Sequence, residues 1–240
     1  MFPLRDENPA ETFPFMTVGL IIINIAVFIY QLSLGTEYSL RQFIYTYSLI
    51  PYEITHGVSL FPGIQKIPYL TILTSMFLHG GFIHIIGNMW YLWIFGNNVE
   101  DMLGHFKFTL FYLLCGLGGT FGHILSGPNS QIPSLGASGA IAGVLGAYLI
   151  LFPTARILTL VPLFYFIQIV RLPALLLIGF WFILQLFSGV AAITSPQQGG
   201  GIAWFAHIGG FLTGFLLILI LPKRPRRRRP NYFFSSTFLS

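Results

Sequence analysis

The sequence predicts an all-α membrane protein: a six-transmembrane-helix bundle with a short fourth helix and a long outer loop between the first and second helices. Three observations lead there. Of 240 residues, 55% are hydrophobic and only 8% charged, too little polar surface for a soluble globule. Five apolar runs are long enough to cross a bilayer: Met16 to Leu34, Phe82 to Val99, Phe108 to Ser126, Leu172 to Ile193 and Ile202 to Leu221. A sixth run, Ser138 to Leu151, is roughly 21 Å as a helix against a hydrocarbon core of about 30 Å, so one of its ends stops inside the bilayer.

The chain divides into a short cytoplasmic N-terminal segment (1–15), a transmembrane domain (16–221) and a basic cytoplasmic tail (222–240). Residues Met1 to Phe13 carry Arg5, Asp6, Glu7 and Glu11 and lack the basic-then-apolar order of a cleaved signal, so the first span is expected to remain in the mature protein. Six spans put both termini on one side. With that side cytoplasmic, Arg5, Lys107, Arg156, Arg171, Lys223, Arg224 and the run Arg226 to Arg229 lie inside, and Arg41 and Lys66 lie outside. Directly after a span, the arginine run reads as a topology anchor in contact with anionic lipid, not as a nucleic-acid patch. The lack of a targeting extension and the compact loops point to a bacterial cytoplasmic membrane.

The segment from Gly35 to Gly81 is long and unusually apolar, so short helices lying in the outer leaflet are expected there. The same reading covers Thr154 to Arg171 on the inner side, where Pro153, Pro162 and Pro173 argue against a further span. A single cysteine, Cys115, excludes an internal disulfide.

Within the predicted spans the polar residues singled out are Asn24, His84, Asn88, His123, Gln185 and His207, with Glu100 and Asp101 at an inner end. Each costs on the order of 2 to 3 kcal/mol in hydrocarbon unless satisfied, which makes each a functional suspect. Depth separates them. The Ser138 segment, entering from outside, begins about 9 Å below the outer surface, and His207 lies about 7 to 8 Å down its own span. A serine and a histidine at one level suit nucleophilic acyl transfer, because neutral imidazole takes the hydroxyl proton and returns it to the leaving amine. Non-helical backbone before Ser138 requires a wet cavity at that depth, and the N-terminus of a helix favours an oxyanion. No carboxylate stands at that level, so the pair is a dyad without an orienting acid.

His84 and Asn88 are four residues apart, on one helix face near its outer end, and both can donate hydrogen bonds to a developing oxyanion. Singly, these residues have ordinary explanations. Small residues around Ser138 also serve close helix packing, and His84, Asn88 or His207 also serves as a polar contact between helices. Position 140 is alanine, so the pattern is not a Gly-x-Ser-x-Gly elbow. His79, His84 and His207 lack the spacing of a zinc site, and neither a metal nor another cofactor is expected. Asn24, His123 and Gln185 are assigned to packing or cavity lining, and His56, His79 and His105 to loops or interfaces. The glycine pairs Gly118/Gly122, Gly139/Gly143 and Gly210/Gly214 are read as close helix contacts that join the Ser138 and His207 helices.

At these residues the chain resembles the rhomboid intramembrane serine proteases from its first span to its last. The resemblance rests on Gly136-Ala137-Ser138-Gly139, on Ala206-His207-Ile208-Gly209-Gly210 with Gly214, and on His84-Ile85-Ile86-Gly87-Asn88. Leu49-Ile50-Pro51 and Phe95-Gly96-Asn97-Asn98-Val99-Glu100-Asp101 support it. It implies a bundle of rhomboid type in which Ser138 is the catalytic nucleophile and His207 the catalytic base. It further implies that His84, Asn88 and the Ser138 N–H stabilise the oxyanion, and that Gln197 to Gly201 belong to a mobile cap. Two positions depart from the family. Ala142 replaces a tyrosine that in some members stacks on the catalytic histidine, so the ring must be oriented from elsewhere, and the outer loop lacks a tryptophan-arginine pair common in relatives.

The expected function is a serine endopeptidase acting on transmembrane protein substrates, with membrane lipids as surroundings. Cleavage of a helical substrate requires local unwinding, which predicts preference for small or helix-breaking residues near the cut. Two other classes bear on the same features. A non-catalytic rhomboid-like protein that binds transmembrane clients would usually have lost the nucleophile or base, and a transporter would carry two matching broken segments where one is found.

Overall fold

The computed structural model describes residues 1–61, 63–64, 66–163, 166–194 and 203–224. The cap segment Gln197 to Gly201 and the run Arg226 to Arg229 lie outside the described residues. Among the described residues the long helices are α1 (Phe15–Ser33), α5 (Phe82–Leu103), α6 (His105–Ser126), α7 (Ser138–Leu151), α8 (Ala174–Thr194) and α9 (Trp204–Ile220). Between α1 and α5 run the short helices α2 (Glu37–Tyr47), α3 (Pro51–His56) and α4 (Thr71–Thr74), the last flanked by 3-10 turns.

Among the described residues, α1, α6 and the stretch Ala174–Ala192 of α8 are each long and apolar enough to cross a membrane. The segment Pro68–Phe77 and α5, bent by 78° at their junction, make a fourth candidate, and α7 and α9 are shorter apolar helices. The chain is therefore a mostly helical integral membrane protein.

The expectation of an all-α chain is corrected by a small sheet. Strands β1 (Phe2–Asp6), β2 (Arg156–Leu163) and β3 (Phe166–Pro173) pair antiparallel in the order β1-β2-β3. The stretch expected to form interfacial helices is thus a hairpin. Its period is two: Ile157, Thr159 and Val161 are buried on one face while Leu158 and Leu160 on the other are partly exposed. Apolar residues on both faces hide that alternation in the sequence. Pro162 pairs with Ile167 beyond the last residue that β1 reaches, so its missing N–H leaves no gap opposite β1.

The Asn97 to Asp101 stretch at the end of α5 binds the N-terminal segment to the bundle. The first N–H groups of a helix lack intrahelical partners, and the α1 cap residue Pro14 makes no side-chain cap bond. Glu100, fully buried, supplies the acceptors instead: Met16 N–H and Thr17 N–H donate to its two carboxylate oxygens at 2.9 and 2.8 Å. Asp101 accepts from Glu11 N–H and Thr12 N–H, both at 3.0 Å. A carboxylate beside the positive end of a helix gains from the helix dipole as well.

At this same end, Arg224 N–H donates to the Met102 carbonyl and Ala174 N–H to the Ala155 carbonyl. Arg171 on β3 donates to Glu7 at 2.7 Å, which holds the Glu7 carboxyl below its usual range. Arg5, Lys107, Arg156, Arg171, Lys223 and Arg224 therefore gather at one end of the bundle, and Arg41 and Lys66 stand at the other. There Lys66 and Glu53 form a buried ion pair, with Lys66 also donating to the Tyr45 carbonyl at 2.9 Å and Glu53 accepting from Leu60 N–H at 2.8 Å.

Candidate active site

Helix α7 is built to sit in the middle of other helices. Gly139, Ala140, Ala142, Gly143, Gly146 and Ala147 keep its surface thin, and residues 139–148 are all buried. Gly210 and Gly214 on α9 are the facing positions: a β-carbon on Gly210 would collide with the Gly139 carbonyl, and one on Gly214 with the Gly143 carbonyl. Backbone thus meets backbone, as small residues four apart allow. That contact brings the start of α7 beside the first turn of α9, where Ser138 and His207 stand.

The two side chains line one cavity of ≈ 760 Å³, together with His84, Asn88, Gly81 and Leu135. All four residues singled out from the sequence as site candidates therefore face the same space. Ser138 opens α7, and by helix geometry its own N–H and that of Gly139 have no intrahelical acceptor. The loop before it is tied to the segment between α1 and α5. Gly136 N–H donates to the Ser75 carbonyl at 2.8 Å, and Leu49 and Ser134 exchange backbone hydrogen bonds at 3.1 and 2.7 Å.

His84 has its roles fixed by its neighbours. Gly80 N–H donates to His84 Nδ1 at 3.4 Å, so the neutral ring carries its proton on Nε2. That Nε2 faces Gly136 and would lie 2.8 Å from a β-carbon there. Asn88 Nδ2 donates to Nε2 of His79 at 2.9 Å, and Gln31 on α1 clasps the His79 backbone with two bonds, at 3.0 and 3.1 Å. An Asn88 amide held in this way keeps its second N–H for another acceptor.

His207 is held from α8. Its Nδ1 lies 2.8 Å from Gln185 Oε1, and Gln185 Nε2 donates to the Trp181 carbonyl at 3.3 Å. The imidazole is flanked by Trp181, with ring centroids 6.0 Å apart, and by Trp204 at 6.3 Å in an edge arrangement. Gln31, His79 and Gln185 are the residues whose part in this network is not legible in the sequence. Gln185 carried a signal, as a lone amide in an apolar span, but its partner is on another helix. A smaller cavity of ≈ 30 Å³, large enough for about one water, lies on the other side of Ser138 and is lined by Ser75, Thr120 and His123.

Among the described residues no group of three His, Cys, Asp or Glu side chains is disposed to hold a metal ion. A second large cavity, of ≈ 520 Å³, opens at the sheet end beside Arg5, Glu7, Trp93 and Asn97, and holds no serine or histidine.

The fold and the cavity define a helical membrane protein in which a serine at a helix start and a histidine on a neighbouring helix share one polar pocket. Residues 68–224 match the family model described as Rhomboid domain, and the chain belongs to the rhomboid family. It is 37% identical over 156 residues to "RHOMBOID-like protein 6, mitochondrial" of Arabidopsis thaliana, covering 65% of this chain and 44% of that one. It is 32% identical over 164 residues to "Rhomboid protein 1, mitochondrial" of Saccharomyces cerevisiae, covering 67% and 44%. To "Rhomboid protease GluP" of Bacillus subtilis it is 34% identical over 154 residues, covering 63% and 26%. The matched region is thus less than half the length of each of these relatives. Since they include plant and mitochondrial proteins, they do not support the expected bacterial membrane over others.

Proposed function

We propose that this protein is an intramembrane serine endopeptidase that hydrolyses peptide bonds in or near the transmembrane segments of other membrane proteins. The observation that carries the reading is the common cavity of Ser138, His207, His84 and Asn88. In the six-span reading, α7 and α9 are the fourth and sixth spans, both termini are cytoplasmic, and the cavity lies below the outer surface. Water reaches the site from the outer side and the substrate arrives laterally from lipid.

Ser138 Oγ attacks the substrate carbonyl carbon as its proton passes to Nε2 of His207. The carbonyl oxygen becomes an oxyanion within reach of the Ser138 N–H at the start of α7, of His84 Nε2–H and of the free N–H of Asn88. Donors already aimed at that charge stabilise the transition state without reorganising. His207 then gives its proton to the leaving amine, and a water molecule repeats the sequence to release the acyl group. Because a helix buries its carbonyls in its own hydrogen bonds, the substrate must unwind locally, which favours small or helix-breaking residues at the cut.

Purified protein incubated with a fluorophosphonate probe tests the reading. Labelling that disappears in Ser138→Ala is the expected result, and equal labelling of the two proteins contradicts it.

A further inference from the structure

We infer that Gln185 is a positioning residue that fixes the tautomer and orientation of the His207 ring, from a different helix than the one that carries the nucleophile. The inference rests on the reading of His207 as the base. Ala142, one turn after Ser138, is buried and has neither a ring nor a polar atom to offer the imidazole. The polar contact comes instead from α8, where Gln185 is only 6% exposed.

The direction of the Gln185 amide follows from its surroundings. Its nitrogen lies 3.3 Å from the Trp181 carbonyl oxygen, which only accepts hydrogen bonds, so the amide oxygen must face His207. An amide oxygen also only accepts. The His207 Nδ1 at 2.8 Å must therefore carry the proton, which leaves Nε2 with a free lone pair. Turning the amide over would set oxygen against oxygen at Trp181 and point an N–H at Nδ1. The ring would then hold its proton on Nε2 and could not take one from Ser138. The Trp181 carbonyl thus selects the reactive tautomer through Gln185, in a relay Trp181 C=O, Gln185 amide, His207 Nδ1–H.

Proton balance shows where this bond matters most. During attack the Ser138 proton moves to Nε2 while the Nδ1 proton stays in place, so the ring becomes an imidazolium. A hydrogen bond from a cation is roughly twice as strong as one between neutral groups, so the amide gains most in the transition state. Its effect belongs on kcat more than on KM. The titratable groups that act on His207 electrostatically are His84 on α5 and His123 on α6, and neither is a carboxylate.

Three measurements on the full chain in detergent micelles test this. First, wild-type protein with 15N-labelled histidine, with His207 assigned by comparison with His207→Ala, should show His207 protonated at Nδ1. A proton on Nε2 overturns the proposal whether or not any substrate is cleaved. Second, Gln185→Leu should lower kcat for a single-span substrate about tenfold, the scale of one hydrogen bond, with KM within about twofold. An unchanged kcat overturns it. Third, Gln185→Glu keeps an acceptor and should restore kcat to within about threefold of wild type, and a carboxylate beside the imidazolium should move the acidic limb of the pH profile to higher pH. A Glu variant as slow as the Leu variant, with both unfolding at the wild-type temperature, contradicts positioning. Undiminished cleavage by Ser138→Ala would instead sink the protease reading and leave the tautomer result standing.

Discussion

The His84 ring rests against Gly136: a β-carbon on that glycine would lie 2.8 Å from both Cε1 and Nε2 of the imidazole. Gly136 also has φ +126°, a backbone conformation that side chains disfavour. The glycine therefore serves two ends, letting the loop turn into α7 and letting the imidazole stand beside Ser138.

Replacing Gly136 by alanine should combine backbone strain of about 1 to 3 kcal/mol with displacement of His84. The expected outcome is a lower unfolding temperature together with a fall in kcat. Alanine at Gly87, which meets nothing within 4 Å, is the control and should leave stability much closer to wild type.

His84→Ala and Asn88→Ala should each reduce kcat by about a hundredfold or more, the scale of one oxyanion donor, while substrate binding is largely kept. His79→Ala should act through Asn88, whose amide loses its 2.9 Å partner. Steady-state kinetics of the His79/Asn88 pair in a double-mutant cycle should give strongly non-additive losses.

The buried Lys66–Glu53 pair predicts a stability effect far from the cavity. Removing one member leaves an uncompensated buried charge, so Lys66→Met should cost about 3 to 5 kcal/mol, and combining it with Glu53→Leu should recover much of that loss. Thermal unfolding in micelles measures both. Since the pair and its bonds to the Tyr45 carbonyl and Leu60 N–H join distant parts of the segment between α1 and α5, proteolytic nicking there should rise in the single variant.

At the opposite end, the Glu7 carboxyl is held below its ordinary value of 4.5, chiefly by the hydrogen bond from Arg171. A lowered folded-state value means that the contact stabilises the fold above that pH and is lost as pH falls through the depressed value. Protection from hydrogen exchange at Glu7 N–H, which donates to the Arg156 carbonyl at 2.9 Å, should therefore drop in acid. Glu7→Gln should show no such pH dependence.

Much of this was legible in the sequence because it is local. The long helices lie within about four residues of the ends of the apolar runs, and α7 occupies the stretch read as too short to cross, Ser138–Leu151. Ser138, His207, His84 and Asn88 stood out as polar residues in apolar runs. What was missed depends on partners distant in the chain. Strand β1 pairs with β2 across more than half the sequence, and the apolar outer face of β2 masks its period. Gln185 reads as packing or cavity lining and His79 as a loop or interface residue until helices α8 and α1 are brought against their neighbours. Likewise Glu100 reads as an end-of-span charge, and only tertiary structure shows it capping α1.

The central claim is that Ser138 Oγ attacks a peptide carbonyl with His207 as base. Its most direct test is mass spectrometry of a single-span substrate reconstituted with the protein in lipid vesicles. Wild-type protein should yield two fragments from a cut in or near the membrane segment, and Ser138→Ala and His207→Ala should each leave the substrate intact. Fragments at the same site and rate from the Ser138→Ala protein would contradict the account.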